Sequence, residues 1–67
     1  MKIFLNNREE VFDGEEMSVS KLLTLKNFTF RMLIIKINGI LIKKADYESS
    51  IIRNGDEVQV LHLISGG

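Results

Sequence analysis

Sixty-seven residues without cysteine, proline or tryptophan can build at most one small domain, in which only about 60% of the unfolded chain's surface becomes buried. With a single histidine as well, the composition excludes a disulfide framework, a zinc knuckle, an iron–sulfur site and thiol chemistry carried by the chain itself. Nine basic residues balance nine acidic ones to a formal charge of +0; with no basic stripe, nucleic acid is not an expected partner. No apolar run approaches the roughly 20 residues of a membrane-spanning helix either.

In chain order, Lys2-Ile3-Phe4-Leu5 is a short β-rich run that stops at the turn-favouring cluster Asn6-Asn7-Arg8-Glu9. A return strand Glu10-Val11-Phe12, closed by Asp13-Gly14, completes a hairpin. The hydrophobic period then changes. Ser18 stands before Val19, Leu22 and Leu23, an i, i+3, i+4 stripe, so it is placed to cap a helix that fades near Lys26-Asn27. Phe28-Thr29-Phe30 reads as core or a packed loop, because a base-stacking platform would need basic neighbours in a groove.

Met32 to Ile37 is rich in β-branched residues and reads as a central strand, followed by Asn38-Gly39 and a return strand Ile40-Leu41-Ile42. Asn-Gly between apolar runs is a strong hairpin signal, since both positions of a type I′ turn need positive φ. Residues 43–50 are polar and irregular, with room for a helical turn and with Tyr47 best able to dock on a core. A second turn, Arg53-Asn54-Gly55-Asp56, launches the longest strand candidate, Glu57 to Ile64.

The expected order is strand, strand, helix, strand, strand, strand. A mixed sheet of about five strands with one helix across one face is the two-layer solution for that string. The last strand is the most apolar and should lie beside the first in the middle of the sheet, which makes the arrangement an α+β β-grasp. The expected organisation is a domain over residues 1–64 and a flexible tail over residues 65–67.

The tail carries the main functional signal. Gly66-Gly67 directly after a strand presents a carboxylate with no neighbouring side chain, slim enough for a narrow channel in another protein, although such an end is also compatible with an incidental tail. Ser65 reads as a small permissive hinge and is assigned no catalytic hydroxyl. On the last strand, Val58, Val60 and His62 share one face while Gln59, Leu61 and Leu63 share the other. One helix covers one face, so Leu61 and Leu63, with Phe4 on the first strand, are candidates for an exposed partner-binding patch beside the tail; cover by a loop is the competing reading. His62, Lys43-Lys44, Glu9-Glu10 and Glu15-Glu16 read as structural or solvated positions, and no metal-ligand spacing or carboxylate–histidine pairing is present.

Taken together, Asn38-Gly39-Ile40-Leu41-Ile42, Lys44, Tyr47, Ile51, the Asn54-Gly55-Asp56-Glu57-Val58 turn and the closing Ile64-Ser65-Gly66-Gly67 resemble the ThiS family of ubiquitin-like sulfur carriers in thiamine thiazole biosynthesis. The likeness runs through the whole chain, from the Ile3 strand and the Ser18-Val19 helix start onward. It departs at Lys44 and Tyr47, where many members carry arginine and tryptophan. The resemblance implies a protein cosubstrate rather than an enzyme, with Gly67 as the reacting residue and Gly66 keeping its approach narrow. No cofactor is expected on the chain itself; ATP and Mg would be used by an adenylating partner of the ThiF type. A cysteine persulfide would supply sulfur, and a ThiG-type thiazole synthase would accept it. A cytoplasmic location is expected, or a plastid stroma if the chain is organelle-encoded. The Gly-Gly end is shared with MoaD-like carriers for molybdopterin and with ubiquitin-like modifiers, so those readings, and a plain β-grasp binding module, stay open at this point.

Overall fold

A computed structural model describes residues 1–28 and 32–62. The expected core position of Thr29-Phe30, the Ile64 end of the last strand, and the functional positions Leu63, Ser65, Gly66 and Gly67 lie outside the described residues.

Strands β1 (Lys2–Leu5) and β2 (Arg8–Val11) pair antiparallel, with Leu5 opposite Arg8 and Lys2 opposite Val11. The turn between them is only Asn6-Asn7, at φ 51° and 66°. Two consecutive left-handed residues form the tight turn whose twist matches a hairpin, and asparagine reaches that region because its short side chain can bond locally. The return strand therefore begins two residues earlier than the sequence suggests. Every non-glycine residue with positive φ among the described residues is an asparagine: Asn6, Asn7, Asn27 and Asn38.

Helix α1 (Val19–Leu25) is satisfied at both ends. Its first three amides donate to the Ser50 carbonyl (3.0 Å), the Tyr47 carbonyl (2.9 Å) and the Ser18 hydroxyl (3.0 Å) in turn, which removes donors that a helix start otherwise leaves unpaired. At the other end, Asn27 (φ 58°) donates to the Thr24 carbonyl and Phe28 to that of Leu23. That crossed pair is a Schellman cap, and Phe28 and Leu23 both pack against the core.

Strands β4 (Leu33–Ile37) and β5 (Ile40–Ile42) are joined at Asn38-Gly39, with φ 51° and 83°. Residues 43–50 contain the short 3₁₀ turn Lys44–Asp46, and Tyr47 packs against the core. Two strands were not apparent in the sequence: β3 (Glu16–Ser18) pairs antiparallel with β6 (Ile51–Arg53), placing Met17 opposite Ile52, both buried.

The main sheet has the order β2-β1-β7-β4-β5, with β7 (Glu57–His62) parallel to β1 and antiparallel to β4. The last strand thus lies between the first strand and the central hairpin, and the architecture is a ubiquitin-like β-grasp. Ile3 and Leu5, Val58 and Val60, and Ile35 face α1 and join Leu22, Val19, Met17 and Ile52 in one core. The buried positions among the described residues are all hydrophobic.

Leu22 is fully buried at the centre of the only face that α1 presents to the sheet. Leu22→Ala should lower stability by about 2–5 kcal/mol, as expected for an emptied core site. Val11→Ala, at a residue 75% exposed, should change it by less than about 0.5 kcal/mol. Urea denaturation of the two variants checks both values.

Candidate functional site

The face of the sheet turned away from α1 is fixed by alternation and register. Because Val58 and Val60 point to the core, Glu57, Gln59 and Leu61 point away, and their cross-strand partners Phe4, Lys36 and Ile34 share that open side. The Asn38-Gly39 turn pairs Ile37 with Ile40 and Lys36 with Leu41, so Leu41 belongs to the open face too. Leu61 is 46% exposed and Leu41 57% exposed, while Ile34 and Lys36 are half-buried. On the open face Ile34 and Leu61 are therefore paired near His62, and Leu41, level with Lys36 and Gln59, lies diagonal to Ile34 on β5.

Leu61 and Phe4 share this face but are not neighbours. Phe4 lies opposite Glu57, four residues from Leu61 and hence about 13 Å away along the strand. The patch expected from Leu61 with Phe4 is thus divided. Phe4 instead borders a depression with Asn7, Gly39, Glu57 and Gln59, and the residue opposite Leu61 is Ile34, with Leu41 diagonal to Ile34 on the next strand. Those two were missed, although the register that a two-residue Asn-Gly turn imposes was a signal for Leu41, and the alternation around Ile35 was one for Ile34.

At the start of β7 the backbone is held by side chains. The Asp56 carboxylate accepts from the Arg53 amide (2.8 Å) and from Asn38 Nδ2 (3.0 Å), while Asn38 Oδ1 accepts from the Glu57 amide (2.9 Å). Asn54 Oδ1 accepts from the Lys2 amide (2.8 Å), and the Gly55 amide donates to the Lys2 carbonyl (2.7 Å). Gly55 is at φ 88°, with open space where a Cβ would stand, so its requirement is conformational rather than steric. This lattice ties the 53–56 turn to both β1 and the β4–β5 turn.

Toward its other end β7 outlasts its neighbour β1. The two strands are in register at Phe4–Glu57 and Leu5–Val58, whereas β4 accompanies β7 as far as Leu33–His62. On the β1 side the Asn6 carboxamide takes over: Oδ1 accepts from the Val60 amide at 2.9 Å and Nδ2 donates to the Val60 carbonyl at 3.2 Å. His62, in phase with the core-facing valines, is exposed at the strand end. Among the described residues no three His, Cys, Asp or Glu side chains gather as metal ligands. What the sheet can do is root whatever follows His62 in its middle, beside an apolar open face.

The fold and the sequence both have known counterparts. The crystal structure of the thiamine biosynthesis protein ThiS from Geobacter metallireducens is 26% identical, covers the whole of both chains and superposes with a TM-score of 0.87. An NMR solution structure of a thiamine biosynthesis protein from the same organism, also 26% identical, covers all of this chain and 88% of that one with a TM-score of 0.77. The uncharacterized protein ycf40 of Trieres chinensis is 24% identical over 66 residues, which are 98% of this chain and 90% of that protein. The ThiS family model matches residues 1–67, through the final glycine pair, and the chain belongs to the ThiS family.

Proposed function

We propose that the chain is a sulfur carrier for thiazole formation in thiamine biosynthesis, a protein cosubstrate whose Gly67 carboxylate becomes a thiocarboxylate. The observation that carries this reading is the family match extending through Gly66-Gly67, on a fold that roots the last strand at the centre of its sheet. The likeness to the ThiS protein of Geobacter metallireducens over the full length supports it.

The chemistry follows from the acid end. A carboxylate does not expel oxide, so an adenylating enzyme converts it with ATP and Mg²⁺ into an acyl-adenylate and releases pyrophosphate. The terminal sulfur of a cysteine persulfide then attacks the acyl carbon, AMP departs, and an acyl disulfide forms. A second thiol of the donor system cleaves the S–S bond and is oxidised to a disulfide, leaving the thiocarboxylate on Gly67. That soft nucleophile passes its sulfur to the thiazole synthase. Glycine at 66 and 67 lets the backbone lie extended in a narrow channel and leaves the carbonyl open to attack. Every sulfur atom and general base in this sequence belongs to a partner, consistent with a chain that has no cysteine and one histidine. The working compartment is that of the ATP-dependent partner, cytoplasm or plastid stroma; no helix among the described residues is long and apolar enough to cross a membrane.

The open-face cluster of Leu61, Ile34 and Leu41 is the proposed docking surface for the adenylating enzyme, with Leu63 and Ser65 continuing toward the reactive end and Phe4 forming a separate, outlying contact. Exposed apolar residues on the strand that leads to a reactive terminus suit a partner that must bind, react and release.

Intact mass spectrometry after incubation with an adenylating enzyme of this family, ATP and a persulfide donor should show one oxygen replaced by sulfur. Conjugation to lysines of other proteins would instead indicate a modifier, and an unchanged mass a passive binding module. A thiocarboxylate that serves a molybdopterin synthase but not a thiazole synthase would indicate the MoaD-like reading. Gly67→Ala should slow adenylation by at least about tenfold with an unchanged circular dichroism spectrum, and normal thiocarboxylate formation by that variant would exclude the narrow-channel requirement. Leu61→Asp should raise the KM for the carrier by about tenfold or more while the fold persists, as steady-state adenylation assays and thermal melts can show.

A further inference from the structure

We infer that Asn6 is a positioning residue for the reactive end: its carboxamide holds β7 at Val60 on the β1 side and so fixes the course on which the last strand runs toward Gly67. The inference rests on the carrier reading above. In the parallel β1–β7 ladder, the Phe4 amide donates to the Asp56 carbonyl (3.0 Å) and the Asn6 amide to the Val58 carbonyl (2.9 Å). A continuing β1 would next offer a carbonyl to the Val60 amide and an amide to the Val60 carbonyl. The backbone cannot supply them, because it turns away at Asn6-Asn7 with both residues left-handed. The Asn6 side chain supplies both instead, with Oδ1 accepting from Val60 N and Nδ2 donating to Val60 O. One planar amide thus stands in for the missing peptide group and carries the ladder one residue further along β7.

The turn itself does not explain this choice of residue. Glycine or aspartate also adopts the required backbone angles, but glycine lacks the second amide and an ionised aspartate lacks the donor. The two functions coincide only in asparagine. Beyond Val60, β7 pairs with β4 through Leu61–Ile34 and His62–Leu33.

The consequence is a fixed course for the last strand. Without the Asn6 clamp, β7 is held at Val60 from the β4 side, through Ile35, and opens more readily on the side that faced β1. A residue freed in this way must be ordered again when a partner binds the end of the chain, a penalty of about five- to thirtyfold in productive binding. Asn6 acts through β7 and touches no reacting atom.

The test compares Asn6→Gly and Asn6→Asp with two controls. Asn7→Gly keeps the turn and the clamp, and Ser18→Ala weakens the distant helix cap and controls for lost stability. Amide hydrogen exchange on the isolated protein should show faster exchange at Val60, Leu61 and His62 in Asn6→Gly and no such local change in either control. In adenylation assays the KM for Asn6→Gly should rise about five- to thirtyfold with little change in kcat. Asn6→Asp should exchange and bind normally only where its carboxyl is protonated, because the neutral acid again presents one donor and one acceptor. Wild-type exchange rates and kinetic constants for Asn6→Gly would overturn the inference, as would an equal rise in KM for Ser18→Ala at matched stability. A wild-type chain that is never adenylated would overturn the carrier reading instead, and unaltered exchange at Leu61 and His62 in Asn6→Gly would then exclude the clamp separately.

Discussion

A helix of seven residues is only about 10 Å long, whereas five strands side by side span about 19 Å between the outermost axes. One such helix can dry a single face of this sheet, and that only near its middle. The apolar content follows the limit. Ile3, Leu5, Ile35, Val58 and Val60, on the three central strands, are buried, whereas Ile40 on the edge strand β5 is 68% exposed although it shares their face. Met17 and Ile52, on the small β3–β6 sheet, complete the wall that the short helix cannot reach. Among the described residues no element packs over the opposite face, where Leu61, Leu41 and Phe4 are exposed and Ile34 is half-buried among lysines, glutamates and a glutamine.

The position of β7 follows from the same geometry. The best-covered slot of the sheet is its centre, and the last strand occupies it with the two deepest valines of the chain's end. It runs parallel to β1, which a hairpin cannot achieve; the remainder of the chain serves as the long crossover. At Val60 the last strand is bordered by β4 and by the Asn6 carboxamide, so it is held from both sides as an edge strand is not. In the proposed carrier role, such a root would reduce the orientational disorder that binding has to remove.

Much of this was legible before the structure, and the reasons are local. Asn38-Gly39 dictates its turn because both positions need positive φ, and that turn then sets every pairing of β5. Ser18 announces the helix because its hydroxyl can accept from the amide three residues later, which has no carbonyl partner within the helix, and Asn27 closes it because asparagine tolerates the left-handed conformation of the cap. What could not be read depends on contacts far apart in sequence. Strands β3 and β6 are three residues each, too short for any period to show, and exist because Glu16–Ser18 meets Ile51–Arg53. Asn6 presents in sequence only as a turn former; its second use requires Val60, 54 positions away. The division of the open-face patch likewise rests on the offset between β1 and β7, which no hydrophobic pattern encodes.

The absence of cysteine takes on meaning through the proposed chemistry, in which the acyl-adenylate at Gly67 is open to any thiolate that can reach it. A cysteine on the open face would capture it as an internal thioester and close the chain on itself. The effective concentration of such a thiol, tethered on the same chain, would be in the millimolar range, enough to compete with a persulfide that must be delivered by a partner. A side-chain carboxylate or lysine amine in the same place is a weaker competitor, the first a poor nucleophile and the second largely protonated at neutral pH. In that chemistry a chain without a thiol leaves the sulfur donor with no internal rival, whatever lysine and acidic side chains it carries.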